Sequence, residues 1–325
     1  MIFYLFISFL CTLVGMKYFI FLLKHTSFLK RGESINTIKK SCIKELHKDK
    51  QNTLTMGGVV MNLSLLIMSI VYYFIYQSFP WVNLLIILYG ILGFVDDYIK
   101  IKRPCDGVKP RQKLIALTLI STLIIIVLVA TSVANPVLII PFIDQVFKVN
   151  TIFYSAFMII ILVASTNSAN ITDGLDGLIL GIASIALSFI IISAWQLRRI
   201  DVLYSAVVIL GTCLGALVYN RHPAKIFIGD TGSLFLGGAL VIFLIQLNMP
   251  LWVVILLGVC VWEMLTVIIQ LSSIKLRGKR VFKIAPFHHH LEKCGWKETK
   301  IVYIFWLITG VLCLVGYVGL EVTLL

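Results

Sequence analysis

Four short segments carry residue types that can handle a phosphate or a hard metal ion. In 93–100 (GFVDDYIK), Asp96 and Asp97 are adjacent and Lys100 follows one helical turn after Asp96. Neighbouring carboxylates repel each other, and a low dielectric raises that cost, which a divalent cation or a polarised phosphate site relieves. In 167–178 (NSANITDGLDGL), Asn167, Asn170, Asp173 and Asp176 recur every third residue. On a helix they would share one face; the glycines equally allow a loop where backbone comes close to a ligand. Asn and Asp offer donors and acceptors to a base and ribose, or oxygens to a hard metal, although ordinary turns use the same residues. In 227–234 (FIGDTGSL), Gly229, Thr231, Gly232 and Ser233 open an apolar run, a start suited to phosphate, with Asp230 as metal ligand. Simple helix capping would use the same residues. In 279–292 (KRVFKIAPFHHHLE), His288, His289 and His290 are consecutive and share no direction on a regular element. A three-histidine metal site is therefore not expected; a compact loop donating to phosphate oxygens beside Lys279, Arg280 and Lys283 is. Lys50 and the segment 53–58 (TLTMGG) add a lysine and a helix start on small residues.

The elements that position these groups are set by composition. The chain has 325 residues, 59% hydrophobic and 13% charged, with net charge +13. Soluble domains carry roughly 25% charged residues, so a soluble two-domain enzyme is excluded, and disorder requires low hydrophobicity. What remains is an all-α integral membrane protein, one polytopic domain over 1–325. A span takes about 20 apolar residues, and apolar runs fall at 1–23, 56–76, 80–96, 114–134, 151–166, 177–197, 202–219, 232–248, 250–273 and 301–320. That predicts about ten transmembrane helices. The segment 135–150, apolar but broken by Pro136 and Pro141, predicts a hairpin or interfacial piece on the outer face. No basic stretch precedes the first run, which is expected to be a retained span with its N-terminus outward.

Ten spans place 24–55, 97–113, 167–176, 220–231 and 274–300 on one face. Those loops hold 24 of the 28 basic residues and, with Asp96, 11 of the 15 acidic ones. By the positive-inside rule this face is cytoplasmic and both termini are outside. All four chemical segments lie there, so the active site is expected in the cytoplasmic loops and the whole positive excess surrounds it. No soluble basic domain exists to bind nucleic acid. The seven cysteines form no CxxC pair and read as reduced packing residues. A transporter would gather polar residues near the bilayer midplane, whereas here only Lys17 and Glu263 lie within spans. Physics alone thus leads to metal-assisted phosphoryl transfer between a cytosolic nucleotide and a lipid.

In TLTMGG, GFVDDYIK, NSANITDGLDGL, FIGDTGSLFLGG and KIAPFHHHLE, taken in order along nearly the whole chain, the sequence resembles the polyprenyl-phosphate N-acetylhexosamine-1-phosphate transferases. Within them it is most similar to the bacterial branch that carries phospho-MurNAc-pentapeptide. PFHHHLE discriminates best, because relatives that transfer N-acetylglucosamine-1-phosphate usually carry an interrupted His-x-His-His set. Leu54 stands where the family usually has proline, and is expected to loosen the loop before the second helix. The resemblance implies ten helices with a bent ninth, residence in the bacterial cytoplasmic (inner) membrane, and a homodimer. It also implies a Mg²⁺-dependent site that moves phospho-MurNAc-pentapeptide from UDP to undecaprenyl phosphate, giving lipid I and UMP. Asp96, Asp97 and Asp230 match its catalytic aspartates, Asp230 being on the metal. Lys50, Thr55, Lys100, Lys113, Asn167, Asn170, Asp173, Asp176, Asn220, Phe227, Gly229, Gln270, His288, His289 and His290 would line the substrate site, with Phe227 stacking on uracil. A transferase for UDP-GlcNAc is the alternative. Asp96 can be base, nucleophile or positioning group, and Glu263 can be functional or a paired structural carboxylate.

The orientation is directly testable. An Arg198→Cys variant is expected to react with an impermeant thiol reagent on intact spheroplasts, and Lys279→Cys only after permeabilisation; the reverse pattern would invert the topology.

Overall fold

The structure, a computed structural model, describes residues 1–25, 53–102, 107–143 and 145–324. Among them ten helices are long and apolar enough to cross a membrane. In chain order they are α1 (Ile2–His25), α2 (Gly58–Tyr76), α3 (Val82–Lys102), α4 (Pro110–Ala130), α5 (Thr151–Thr172), α6 (Leu178–Gln196), α7 (Ile200–Asn220) and α8 (Gly229–Gln246). The one-turn α9 (Val253–Leu256) follows, then α10 (Gly258–Arg277), the short α11 (Phe287–Lys293) and α12 (Glu298–Leu324). The ten long helices are α1–α8, α10 and α12, so this is an all-α membrane protein.

Local signals set the ends. Asn150 caps α5, its Oδ1 accepting the N–H groups of Ile152 at 2.8 Å and Phe153 at 3.4 Å. Pro110 occupies the first turn of α4, where its missing N–H costs nothing. Gly278 closes α10 in the left-handed conformation, φ 65°. Between α4 and α5, β1 (Val137–Ile139) pairs antiparallel with β2 (Val146–Lys148), Leu138 opposite Phe147, as the proline-broken segment implies.

The core is organised around α8. Sixteen of its 18 residues are buried, every one from Thr231 to Gln246, and α3, α5 and α2 pack against it. Outward faces elsewhere carry large apolar side chains such as Phe74, Ile126, Ile160 and Leu307, as lipid-facing helices must. Two glycines set the contact at the end where the polar loops gather. A Cβ on Gly93 of α3 would strike the Asp230 carbonyl, and one on Gly58 of α2 would strike the Gly232 backbone. Without side chains there, the ends of α2 and α3 converge on the first turn of α8.

Several boundaries differ from the sequence expectation, each for a physical reason. Helices α3 and α5 run on past 96 and 166 to Lys102 and Thr172, because polar residues continue a helix once it leaves the apolar layer. The run 250–273 is not one helix. Pro250 tolerates only a first turn, and Leu257 at φ −101°, ψ 22° departs from helical values. A 3₁₀ turn at Pro250–Trp252 and α9 therefore precede α10. The segment around Leu54 is pinned and not loosened. Leu54 is buried, its carbonyl accepts the Phe227 N–H at 2.8 Å, and Gly57 and Gly58 donate to Phe227 and Ile228 carbonyls at 2.9 Å each. His288–His290 lie on α11, not on a loop.

Candidate active site

Asp97, near the end of α3, accepts three hydrogen bonds from the start of α8. Its Oδ1 takes the Asp230 N–H at 3.1 Å, and its Oδ2 takes the Thr231 N–H at 2.9 Å and the Thr231 hydroxyl at 2.6 Å. Those amides are among the orphan donors of a helix N-terminus, and a carboxylate is the strongest partner for them. Gly229, at φ 70°, turns the chain into the helix beside this carboxylate; a Cβ there would lie 2.5 Å from Asp97 Oδ2. Asp97 therefore spends both oxygens fixing the backbone that carries Asp230.

Asp96 points elsewhere. Its Oδ1 accepts the Val108 N–H at 2.7 Å, while its Oδ2 is 3.0 Å from Lys100 Nζ and 3.3 Å from Lys113 Nζ. The same two ammonium groups meet Asp230 Oδ2, Lys100 at 2.9 Å and Lys113 in close contact. Lys113, on α4, also donates to Asn170 Oδ1 on α5 at 3.0 Å, and Asn170 Nδ2 donates to Ser233 Oγ at 2.9 Å. Four helices thus supply two carboxylates, two ammoniums and an amide that share one set of contacts. Ionised groups this buried persist only when paired. The two partners differ in access: the Lys100 side chain is 45% exposed, that of Lys113 14%.

The other sequence-predicted residues divide into neighbours and braces. Asn167 sits half-buried one turn before Asn170, so the helical alternative for that segment holds as far as Thr172. The turn beyond it carries Asp173, half-buried, and Asp176, buried. Asp176 Oδ2 accepts the Ala224 N–H at 3.0 Å and lies 3.1 Å from His222 Nδ1, and its backbone N–H donates to Glu298 Oε1 at 2.7 Å. Asn220 bridges the same loops, accepting from Gly177 N–H at 3.0 Å and donating to the Ile226 carbonyl at 2.9 Å. Phe227 and Thr55 are half-buried on the paired strands of backbone described above. Gln270 Oε1 accepts the N–H groups of Val281 and Phe282 at 3.0 and 2.9 Å, holding the loop before α11. Lys50 lies outside the described residues.

The three histidines take three directions. His288 meets Glu263; His289 Nδ1 is 2.7 Å from Glu292 Oε2; His290 Nδ1 accepts the Lys283 N–H at 3.1 Å. The compact loop expected from the sequence is thus corrected: the histidines lie on a helix, which spreads consecutive residues about 100° apart.

Sequence reasoning passed over His222 and Glu298. With Asp176 they place three ligand atoms within 4.8 Å of one another, an acidic group able to hold a metal ion. A lone histidine in a loop and a glutamate at a helix start carry no distinguishing signal before folding brings them together. The oxygens of Asp96, Asp230 and Asn170 are a second donor set, made wholly of the hard ligands that Mg²⁺ prefers.

Comparison with known proteins decides among chemistries. The model of glycosyl transferase family 4 matches residues 79–248, which span α3 to the end of α8 and so contain the carboxylate–lysine cluster. Similar curated proteins include the phospho-N-acetylmuramoyl-pentapeptide-transferase of Acetivibrio thermocellus, 41% identical over 283 residues, which cover 85% of this chain and 84% of that one. That of Shouchella clausii is 39% identical over 329 residues, covering 99% and 98%. The chain belongs to the phospho-N-acetylmuramoyl-pentapeptide-transferase group of glycosyl transferase family 4. The Bacillus subtilis transferase, 40% identical over 91% of this chain and 92% of its own length, agrees. The chain is therefore a multi-pass membrane transferase, and the family to which the quoted motifs pointed is the right one.

The two adjacent aspartates are expected to fail differently when neutralised in this transferase. Asp97→Asn loses charge-assisted bonds to the start of α8 and should lower stability by about 1–3 kcal/mol, with a lower melting temperature in detergent. Asp96→Asn keeps an acceptor for the Val108 N–H, and Asp230 still pairs with both lysines, so it should lower melting less than Asp97→Asn while losing activity. Equal melting of both variants would contradict the brace assigned to Asp97.

Proposed function

We propose that the chain transfers phospho-MurNAc-pentapeptide from UDP-MurNAc-pentapeptide to undecaprenyl phosphate on the cytoplasmic face of the bacterial inner membrane, releasing UMP and forming lipid I. The observation that carries this reading is the sharing of Lys100 and Lys113 by Asp96 and Asp230 at the ends of four membrane helices. The group names of the relatives supply the substrate class, and the apolar surface around the bundle suits a prenyl acceptor.

The acceptor is a phosphate monoester with a second pKa of about 6, mostly dianionic at cytoplasmic pH. A general base gains little against such a nucleophile. The larger barrier is bringing an anion to an anionic diphosphate, which calls for cations and preorganised donors. Lys100, the more exposed ammonium, is the group an incoming phosphate meets first. Lys113, held by Asp96, Asp230 and Asn170, keeps the carboxylates oriented while Lys100 exchanges partners. Asp96 positions this cluster, braced by the Val108 N–H. Asp230, with Asp96 and the Asn170 carbonyl, offers the hard oxygens to hold Mg²⁺, which when bound neutralises charge on the diphosphate. Thr55, Asn167, Asp173, Phe227 and the α11 histidines are the residues this reading assigns to nucleotide and sugar.

Purified protein with undecaprenyl phosphate, UDP-MurNAc-pentapeptide and Mg²⁺ should release UMP, and UDP-GlcNAc should not replace the donor. Removing the Asp230 carboxylate (Asp230→Ala) should cost at least about 100-fold in kcat, the scale of losing one preorganised electrostatic group. UMP release from UDP-GlcNAc at an equal rate would move the chain to the N-acetylglucosamine branch.

A further inference from the structure

Asn170 supplies the one oxygen of the charged cluster that depends on which way a side chain is turned. A carboxylate offers oxygen in either orientation. An amide rotated by half a turn offers an NH2 group instead, which only donates and cannot meet an ammonium or a metal ion. Asn170 is half-buried on α5, and the hydrogen bonds on its two sides settle the orientation.

On one side stands Ser233, fully buried in the second turn of α8. Its single hydroxyl proton goes to the Gly229 carbonyl at 3.1 Å. Toward α5 the Ser233 oxygen therefore only accepts, and it takes the Asn170 Nδ2–H at 2.9 Å. On the other side the Lys113 ammonium, which has no lone pair, donates to Asn170 Oδ1 at 3.0 Å while also meeting Asp96 and Asp230. The two anchors differ in permanence. Lys113 is a long chain whose ammonium has to leave Oδ1 before a cation takes that oxygen. Ser233 is tied to the backbone immediately before Asp230, so its hold on the amide does not depend on what occupies the cluster.

We infer that Ser233 is a positioning residue: its hydroxyl sets the Asn170 amide with the oxygen toward Asp96 and Asp230, where it serves as a neutral ligand to the cation those carboxylates hold. The cation rests on the metal-dependent transferase reading above; the amide orientation does not.

Ser233→Ala removes the hydroxyl and keeps a good helix former. Mn²⁺ affinity in the presence of UMP, read by electron paramagnetic resonance, should fall about tenfold, the scale of one lost hydrogen bond that leaves a donor unpaired. Asn170→Ala should weaken Mn²⁺ binding at least as much, and adding Ser233→Ala to it should cost less than about twofold more. A hydroxyl that merely stabilised α8 would weaken binding by the same factor in both backgrounds. That result overturns the inference, as does wild-type affinity in Ser233→Ala. Ser233→Cys keeps the volume with a poor acceptor; it should show the same loss, and it decides the matter if Ser233→Ala does not fold. A second readout needs neither metal nor turnover. In protein labelled with nitrogen-15 asparagine, with Asn170→Ala identifying the signal, the Asn170 side-chain amide protons should exchange with water about tenfold faster in Ser233→Ala than in wild type. Equal exchange rates refute the proposal. Absence of Mn²⁺ binding by the wild-type protein would count against the metal reading instead, and the exchange rates would still decide the role of Ser233.

Discussion

The bond between the Asp97 carboxylate and the first amides of α8 is the contact on which the site depends. It ties the end of one membrane helix to the beginning of another and fixes the rotation of both. With Asp97 so engaged, the preceding residue on α3 must face roughly a quarter-turn away, which delivers Asp96 to Lys113 and Lys100. Asp230, on the amide that Asp97 holds, arrives at the same lysines from the other side. The glycines at 58 and 93 permit the approach, since any side chain there would meet the α8 backbone. Adjacent aspartates are costly at the edge of a low-dielectric layer. Here one is satisfied by backbone and the other by cations, so the cost is met twice in different ways.

This division explains why the cluster sits where lipid and water meet. A helix N-terminus braced by a carboxylate is rigid, and rigidity lets donors act without reorganising when charge develops. Around it lies a second tier of braces. Asp176, Asn220 and Glu298 join loops that are distant in sequence, and Gln270 holds the loop after its own helix, each through bonds to backbone amides. The polar end of the bundle is thereby held by side chain–backbone bonds, while the rest of each helix is held by apolar packing around α8.

How much was legible before folding follows from the same physics. Long apolar runs and the charge bias are local properties, and they gave ten spans and a single polar end to examine. Motif segments located Asp96, Asp97, Lys100 and Asp230, because clustered polar residues at a span boundary are rare. What the sequence could not distinguish was Asp96 from Asp97, since direction on a helix depends on where α8 docks. Nor could it separate Asp176 and Asn220 as loop braces from ligand-facing groups, a difference set by partners more than 40 residues away. The break at Leu257 hid within continuous hydrophobicity, and the histidines appeared as one block until α11 pointed them apart. His222 and Glu298 left no trace, because their proximity is purely tertiary.

The central claim is that the cluster of Asp96, Asp230 and the two lysines, and not the Asp176–His222–Glu298 group, is the reaction's metal-dependent centre. Mn²⁺ binding followed by electron paramagnetic resonance in the presence of UMP tests it most directly. The account predicts that Asp230→Asn removes the bound Mn²⁺ signal and that His222→Gln keeps it. Loss of the signal in His222→Gln with retention in Asp230→Asn would contradict the account.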